Sequence, residues 1–317
     1  METKKRITVK DLARICGVSI GTVDRALNGR GRINPETREK VLSAAKEHGY
    51  IKNHLARTLS SGKSDIIGVI VPNLRSEYFS ALLTGIGEAA RERGLATIFM
   101  TSDYSADTER DCALRLLSLN PAGIIVCSVL IDSEFYRDII KNGTPVAAVA
   151  NRLEGIPHVG INDYAAAHAA ARHIVSHGYG HIYYISPALS KQNQNISAQA
   201  ERLRGFSDAA AESNVMSTVI SSSKELEALS PLGAQKTALM CSSDAYTIRC
   251  IVKFRELIEG GQLGLMGFDN LESLRVLVPG IATVSYNTHN IGVAAVRTLF
   301  DVSGELFPFT IIEGSTI

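Results

Sequence analysis

From residue 66 onward, short uninterrupted apolar runs alternate with stretches whose apolar residues recur every three or four positions. IIGVIVP (66–72), LATIFMT (95–101), GIIVCSV (123–129) and PVAAVA (145–150) read as strands. Helices are predicted between them, around 77–93, 107–119 and 133–141. A second series starts near 160, with helix 163–177, strand 181–186, helix 198–212, strand 237–242, helix 244–259 and strand 263–268. Continuous apolar strands separated by helices form parallel sheets buried on both faces. Two such series predict two doubly wound lobes with a cleft between them, a usual place for a ligand.

The first 50 residues have a different rhythm and predict three short helices. Thr8 and Asp11 have the spacing of a capping box, and Gly17 ends the helix they begin. Ser19 caps a second helix, Ile20 to Leu27, which Asn28-Gly29 ends. Asn34-Pro35-Glu36 opens a third, with Val41, Leu42, Ala44 and Ala45 expected inside. Residues 51–63 form a polar, basic linker with Leu55, Ala56 and Leu59 at helical spacing, a helix stable only with a partner.

Charge sharpens this division. Residues 1–63 hold 14 of the 33 Lys and Arg but 6 of the 32 Asp and Glu, a net of +8 that leaves 64–317 at −7. A basic head on an acidic body predicts that the head alone meets a polyanion. The 317 residues include no apolar run long enough for a membrane helix and no signal-peptide core after the N-terminal basic residues, so a cytoplasmic place is expected. The five cysteines form no C-x-x-C and read as reduced thiols.

In the head, Ala13-x3-Gly17-Val18-Ser19-x2-Thr22-Val23-x-Arg25-x-Leu27-Asn28 has the spacing of a helix-turn-helix. Gly17 allows the tight turn, Val18 and Val23 pack the helices, and the start of the second helix faces DNA. Ile20, Gly21 and Asp24 would face bases or phosphates, and Arg25 has the fork for a bidentate base contact.

GVSIGTVDRALN, RINPETREKVLSAAKEHGY and KNHLARTLSSGKSDIIGVIVP together resemble the start of the LacI/GalR family of bacterial transcription regulators. GIGEAARERG, ERLRGFSDAA, GFDN and the closing EGSTI follow in family order, so the resemblance spans essentially the whole chain. It implies a small all-α helix-turn-helix head (1–50), a hinge (51–63) and an α/β body (64–317). The body would be two periplasmic-binding-protein-like, doubly wound parallel-sheet lobes. Lobe one would comprise 64–160 and 287–304, and lobe two 161–284 and 305–317.

The resemblance also implies a homodimer that reads a pseudo-palindromic double-stranded operator. Its DNA-contact positions fall on Thr8, Ser19, Ile20, Gly21, Thr22, Asp24, Arg25, Asn28 and Arg32. Asn53, Arg57 and Lys63 are expected on phosphates, and Leu59 as the hinge wedge in the minor groove. Asp24 stands where the family usually has Ser, and Lys52 where it has Pro. Asp24 would have to accept from a cytosine amino group or pair with Arg25.

For the body, the resemblance implies a small-molecule effector, a sugar, polyol or derivative, with a purine as the minority alternative. Asn73, Tyr78, Phe79, Asn151, Arg152, Arg202, Ser243, Asp269 and Tyr286 are the candidate contacts. Arg202 and Asp269 would bridge hydroxyl groups; a surface ion pair is the plainer alternative. Tyr78 and Phe79 either stack on the ligand or belong to the core of their helix. Ser243 replaces a common Asn, Val159 lies near an often aromatic position, and 221–236 is short for the family.

No cofactor or metal is expected. His173, His177 and His181 are spaced by four, but Gly178 ends their helix before the third. Gly62-Lys63-Ser64 lacks the first glycine of a P-loop, and Gly85-x-Gly87 sits in mid-helix. The rival reading is a doubly wound enzyme with a nucleic-acid tether, but no catalytic motif supports it. A third is a regulator whose pocket has degenerated and answers to a protein partner.

Overall fold

The structure, a computed structural model, describes residues 7–29, 31, 33–50, 64–189, 194–231, 235–301 and 303–317. The chain divides into two compact units, 1–62 and 63–317.

The head holds α1 (Val9–Cys16), α2 (Ile20–Asn28) and α3 (Pro35–Glu47). Thr8 Oγ1 accepts the Asp11 N–H at 3.3 Å, and the Asp11 carboxylate accepts the Thr8 N–H at 3.0 Å, which completes the capping box. Gly17 ends α1 at φ +64°, in the left-handed region that glycine enters without a steric cost. Leu12, Cys16, Val23, Ala26 and Val41 are buried together, with Val18 and Tyr50 packed on them. Leu42, expected inside, is exposed: Val41, Ala44 and Ala45 share the buried face of α3, and position 42 lies a third of a turn away.

The body begins with β1 (Ile66–Val71), α4 (Glu77–Glu92), β2 (Ala96–Thr101), α5 (Ala106–Leu117), β3 (Gly123–Val126), α6 (Glu134–Lys141), β4 (Val146–Val149) and β5 (His158–Ile161). The chain then crosses to α7 (Asp163–Ser176), β6 (His181–Ile185), α8 (Ser197–Glu212), β7 (Met216–Ile220), α9 (Ser223–Ala228), β8 (Thr237–Cys241), α10 (Asp244–Glu259), β9 (Leu263–Phe268), α11 (Glu272–Leu277) and β10 (Ala282–Tyr286). It closes with α12 (Thr288–Asp301), β11 (Glu305–Phe307) and β12 (Phe309–Ile312).

Two six-stranded sheets result. The first runs β11-β5-β4-β3-β1-β2, all parallel. The second runs β12-β10-β9-β8-β6-β7, parallel except for β12. The expectation that 305–317 belongs to the second lobe is corrected at its start, because β11 pairs with β5 in the first sheet. Pro308, which has no N–H for a ladder, stands between the two short strands that join different sheets. The chain thus crosses between lobes three times, after β5, β10 and β11.

Within each lobe two helices approach to backbone contact. A Cβ at Gly85 of α4 would stand 2.1 Å from the His289 carbonyl oxygen of α12, and one at Gly292 would stand 2.2 Å from the Leu82 carbonyl. In the second lobe a Cβ at Gly205 of α8 would stand 2.2 Å from the Tyr164 carbonyl of α7. Gly85 is therefore a packing residue, and Gly205-Phe206 marks the equivalent crossing. Phe206 is fully buried, stacked on Tyr184 with ring centroids 4.6 Å apart.

Candidate functional site

In the head, Ser19 Oγ accepts the Thr22 N–H at 3.1 Å and lies 2.9 Å from the Thr22 hydroxyl. This cap fixes the start of α2 and leaves Ile20, Gly21, Asp24 and Arg25 exposed on one face. Arg25 Nε donates to the Gly21 carbonyl at 3.2 Å. Asp24 Oδ1 accepts from Asn28 Nδ2 at 2.8 Å, so its partner here is Asn28 rather than Arg25. The Thr8 hydroxyl donates to Asp11 at 2.7 Å, which commits it to the cap of α1. Arg32, Asn53, Arg57 and Leu59, with the rest of 51–63, lie outside the described residues.

In the body, Arg202 of α8 is buried at the meeting of several strand ends. Its Nε donates to Asp163 Oδ1 at 2.8 Å and its Nη1 to the Ser242 carbonyl at 2.7 Å. Nη1 also reaches Asp269 Oδ1 at 3.4 Å, and Nη2 reaches the Tyr286 hydroxyl at 3.5 Å. The guanidinium lies 3.8 Å over the centre of the Phe268 ring, a cation–π contact. Tyr286 in turn donates to Asp269 Oδ1 at 2.5 Å. The Arg202–Asp269 contact is thus a buried, shared constellation, not the surface ion pair.

The backbone just after β9 is held under strain to make it. Asp269 has φ +101° and Asn270 φ +57°. Asp244, at the start of α10, anchors this turn: its carboxylate accepts the N–H groups of Phe268 at 3.0 Å and Leu271 at 2.8 Å. Burial, with the Asp269 charge nearby, pushes the Asp244 carboxyl up to about 7, although both N–H groups pull the other way. Burial raises Asp269 as well, against the pull of Arg202 and the Tyr286 hydroxyl.

A cleft of about 510 Å³ opens here between the lobes. Tyr78 and Glu77 line it from the first lobe, Asp269, Asn270, Arg275 and Tyr286 from the second. Of the nine residues expected to meet an effector, Tyr78, Arg202, Asp269 and Tyr286 come together. Phe79 packs on the core, the alternative left open for it. Asn73 donates to the Tyr104 hydroxyl at 3.0 Å and is not on the wall of this cleft. Asn151 is spent on backbone: its Nδ2 donates to the carbonyls of Ser128 at 3.0 Å and Asn195 at 2.9 Å, and its Oδ1 accepts the Ala198 N–H at 3.2 Å. Arg152 is exposed, its backbone N–H on Ser197 Oγ at 2.8 Å. Ser243 stands at the N-cap of α10 without a side-chain cap bond.

Three carboxylates central to this geometry escaped the sequence reading: Glu77, Asp163 and Asp244. Each stands at the start of a helix, where an acid is an ordinary dipole partner, so sequence alone offers no signal that it joins this network. His173 and His177 lie with ring centroids 4.5 Å apart, whereas His181 bonds to Thr218 instead.

A cleft between two parallel-sheet lobes, on a chain that also carries a helix-turn-helix with an exposed recognition face, defines an effector-responsive regulator class. The pattern described as "Periplasmic binding proteins and sugar binding domain of LacI family" matches residues 64–229, and "Bacterial regulatory proteins, lacI family" matches 8–53. The chain is 28% identical over 307 residues to catabolite control protein A of Priestia megaterium, covering 92% of this chain and 91% of that one. The structure of the Lac repressor dimer bound to operator and the anti-inducer ONPF superposes with a TM-score of 0.83 at 19% identity, covering 98% of this chain and 99% of that one. The structure titled "transcriptional regulator CelR-cellobiose complex" matches with a TM-score of 0.67 at 20% identity, covering 98% and 100%. The chain belongs to the LacI family of bacterial regulatory proteins. That family consists of DNA-binding transcriptional regulators, not enzymes. Among the described residues no helix is long and apolar enough to cross a membrane.

Proposed function

We propose that this regulator is a cytoplasmic homodimeric repressor whose operator affinity is set by a sugar bound between the two lobes of its body. The observation that carries the reading is the Arg202–Asp269–Tyr286 constellation, whose Asp269 and Tyr286 line the cleft with Arg202 buried behind them. A fixed guanidinium, carboxylate and phenol can engage several ligand hydroxyls, and nearby aromatic rings cover the apolar face of a sugar. The operator-bound Lac repressor dimer and the cellobiose complex support the partner classes.

In the head, Ile20, Gly21 and Arg25 read base edges, while Ser19, Thr22 and Asn28 contact the backbone. Thr8 and Asp24 act mainly by holding α1 and Asn28, as their hydrogen bonds suggest. Arg32, Asn53 and Arg57 contact phosphates, and Leu59 enters the minor groove. In the body, Asn73, Asn151, Arg152 and Ser243 shape the loops around the ligand, and Phe79 supports Tyr78.

The two sites are coupled because the ligand contacts both lobes and the three crossovers let their angle change. A coupling of about 1–3 kcal/mol between ligand and operator is typical of such systems. The test is a thermal-shift screen against sugars and polyols, followed by operator selection with and without the stabilising compound. Ligand-dependent operator binding is expected. A stabilising compound that leaves operator affinity unchanged would remove the regulatory link.

A further inference from the structure

Away from the cleft that Asp269 lines, the two lobes are bonded to each other by the chain itself. Ser128 and Val129 follow β3, and Asn151 and Arg152 follow β4, all in the first lobe. Asn195, Ser197 and Ala198 belong to the passage from β6 into α8 in the second. The Asn195 N–H donates to the Val129 carbonyl at 2.7 Å, and Asn195 Nδ2 to the Arg152 carbonyl at 2.8 Å. Asn151 Nδ2 donates to the Asn195 carbonyl at 2.9 Å, and Asn151 Oδ1 accepts the Ala198 N–H at 3.2 Å. The Arg152 N–H donates to Ser197 Oγ at 2.8 Å.

This contact is complete without a third molecule. Asn151 Nδ2 also donates to the Ser128 carbonyl at 3.0 Å, and Asn195 Oδ1 accepts the Ser197 N–H at 3.1 Å. Asn195 is buried, so a contact that satisfies its polar atoms avoids the cost of stranding them. The first lobe holds its half in place. Ala150, just before Asn151, has φ +62°, a strained conformation for a residue with a Cβ. Such strain persists where the surroundings over-determine it, and here His158 Nε2 lies 2.9 Å from the Ala150 carbonyl. Buried Glu109 takes the Val129 N–H at 2.7 Å and the Ser128 hydroxyl at 2.5 Å. These anchors aim the Asn151 amide and the Val129 carbonyl at the second lobe.

We propose that Asn151 and Asn195 form a clasp that holds the two lobes together in the absence of any ligand, with Glu109 and His158 as its positioning residues. The resting angle between the lobes is then set by the chain's own hydrogen bonds. The clasp stands on the body alone and does not depend on the effector reading above. Where that reading holds, the clasp also fixes the operator affinity of the unliganded regulator, and a ligand shifts a closed body rather than closing an open one.

Hydrogen exchange on the full-length protein, refolded from urea to remove bound compounds, reads the clasp directly. The N–H groups of Asn195, Arg152 and Ala198 each have their acceptor on the opposite lobe. So do those of Glu272 and Ser273, which bond to Glu77 at 2.7 and 3.3 Å. All are expected to be protected in the wild type. Asn151→Asp keeps an acceptor for Ala198 but turns a carboxylate oxygen toward the Ser128 and Asn195 carbonyls. Exchange at Asn195 and Arg152 should become at least about tenfold faster, and exchange at Glu272 and Ser273 should rise with it. Val129 and Phe268, whose N–H groups bond to carboxylates of their own lobes, should stay protected. Asn195→Ala removes the bond to Arg152 from the other side and should have the same pattern. Fast exchange at Asn195 in the wild type would mean that the lobes rest open, and it overturns the proposal. Faster exchange at Asn195 in the variants with Glu272 and Ser273 unchanged would reduce the contact to a local loop bond, and overturns it as well.

Discussion

Glu77 and Glu272 stand on opposite lobes, and the Glu77 carboxylate accepts the Glu272 backbone N–H at 2.7 Å. The same carboxylate takes the Ser273 N–H at 3.3 Å, so a side chain of the first lobe caps α11 of the second. Leu271, at the N-cap of α11, has no side chain for the task. Burial would raise the Glu77 carboxyl, but these N–H groups, with the Ser273 hydroxyl, outweigh it and hold it below the usual glutamate range.

This tie exists only while the lobes keep their present separation. Glu77→Ala should cost about 1 kcal/mol of stability, the usual loss for a helix cap. Glu77→Gln, which keeps one acceptor oxygen, should cost less. Urea denaturation gives the energies. Hydrogen exchange at Glu272 and Ser273 locates them, because only those amides lose their partner. Unchanged exchange at both would show that the tie does not hold α11.

Asp244 predicts a pH dependence whose sign is opposite to that of an ordinary salt-bridged carboxylate. Its pKa is pushed up to about 7 by burial and by Asp269, whereas in the unfolded chain it is about 3.9. The folded state therefore holds the proton more tightly. Its stabilising contribution is complete below about pH 4 and is lost as pH rises through 7. The body should melt at a lower temperature at pH 8 than at pH 6. Asp244→Asn should flatten that slope and lower stability at both pH values, since the amide has one acceptor oxygen for the N–H groups of Phe268 and Leu271.

Gly205→Ala tests the helix crossing in the second lobe. The new methyl would sit 2.2 Å from the Tyr164 carbonyl, a backbone atom that cannot rotate away. Alanine gains about 1 kcal/mol in helix propensity, but overpacking at a rigid contact costs about 1–3 kcal/mol. A net loss is expected in urea denaturation. Any gain would mean that α7 and α8 separate freely.

The lobes were legible because their strands are uninterrupted apolar runs, and β1, β8 and β9 fall almost where the pattern puts them. The pattern passed over β7, since Met216-Ser-Thr-Val-Ile220 is an exposed edge strand with little apolar signal. It also passed over β11, three residues long, whose lobe is decided by pairing with β5 rather than by anything local. Arg202, Asp269 and Tyr286 were reachable through family resemblance. The network that fixes them was not, because Asp163 and Asp244 lie 39 and 42 positions from Arg202 in sequence and meet its surroundings only in the folded lobe.

The edge of the first sheet predicts how two copies meet. β2 is its outer strand, and Phe99 on it is 41% exposed, with Leu74 nearby 58% exposed. An apolar sheet edge left open invites pairing with another chain. Phe99→Asp should shift sedimentation toward the monomer while leaving the melting of the diluted monomer nearly unchanged. A variant that still sediments as a dimer would place the interface elsewhere.

Arg25 gives the sharpest test of how the head reads DNA. It is exposed on α2 beside Ile20 and Gly21, and among the described residues only its Nε is tied, to the Gly21 carbonyl. A bidentate contact to guanine predicts that Arg25→Ala loses about 1–3 kcal/mol per half-site and relaxes the preference at one base pair. The loss should appear at the symmetric position of both half-sites, because two copies read one pseudo-palindrome. If Arg25 instead contacts phosphate, affinity falls evenly across sequences and the slope of log K against log salt drops by about one. Fluorescence anisotropy on a selected operator and its single-base variants, across a salt series, separates the two. A sequence-dependent loss with little change in slope is the expected result.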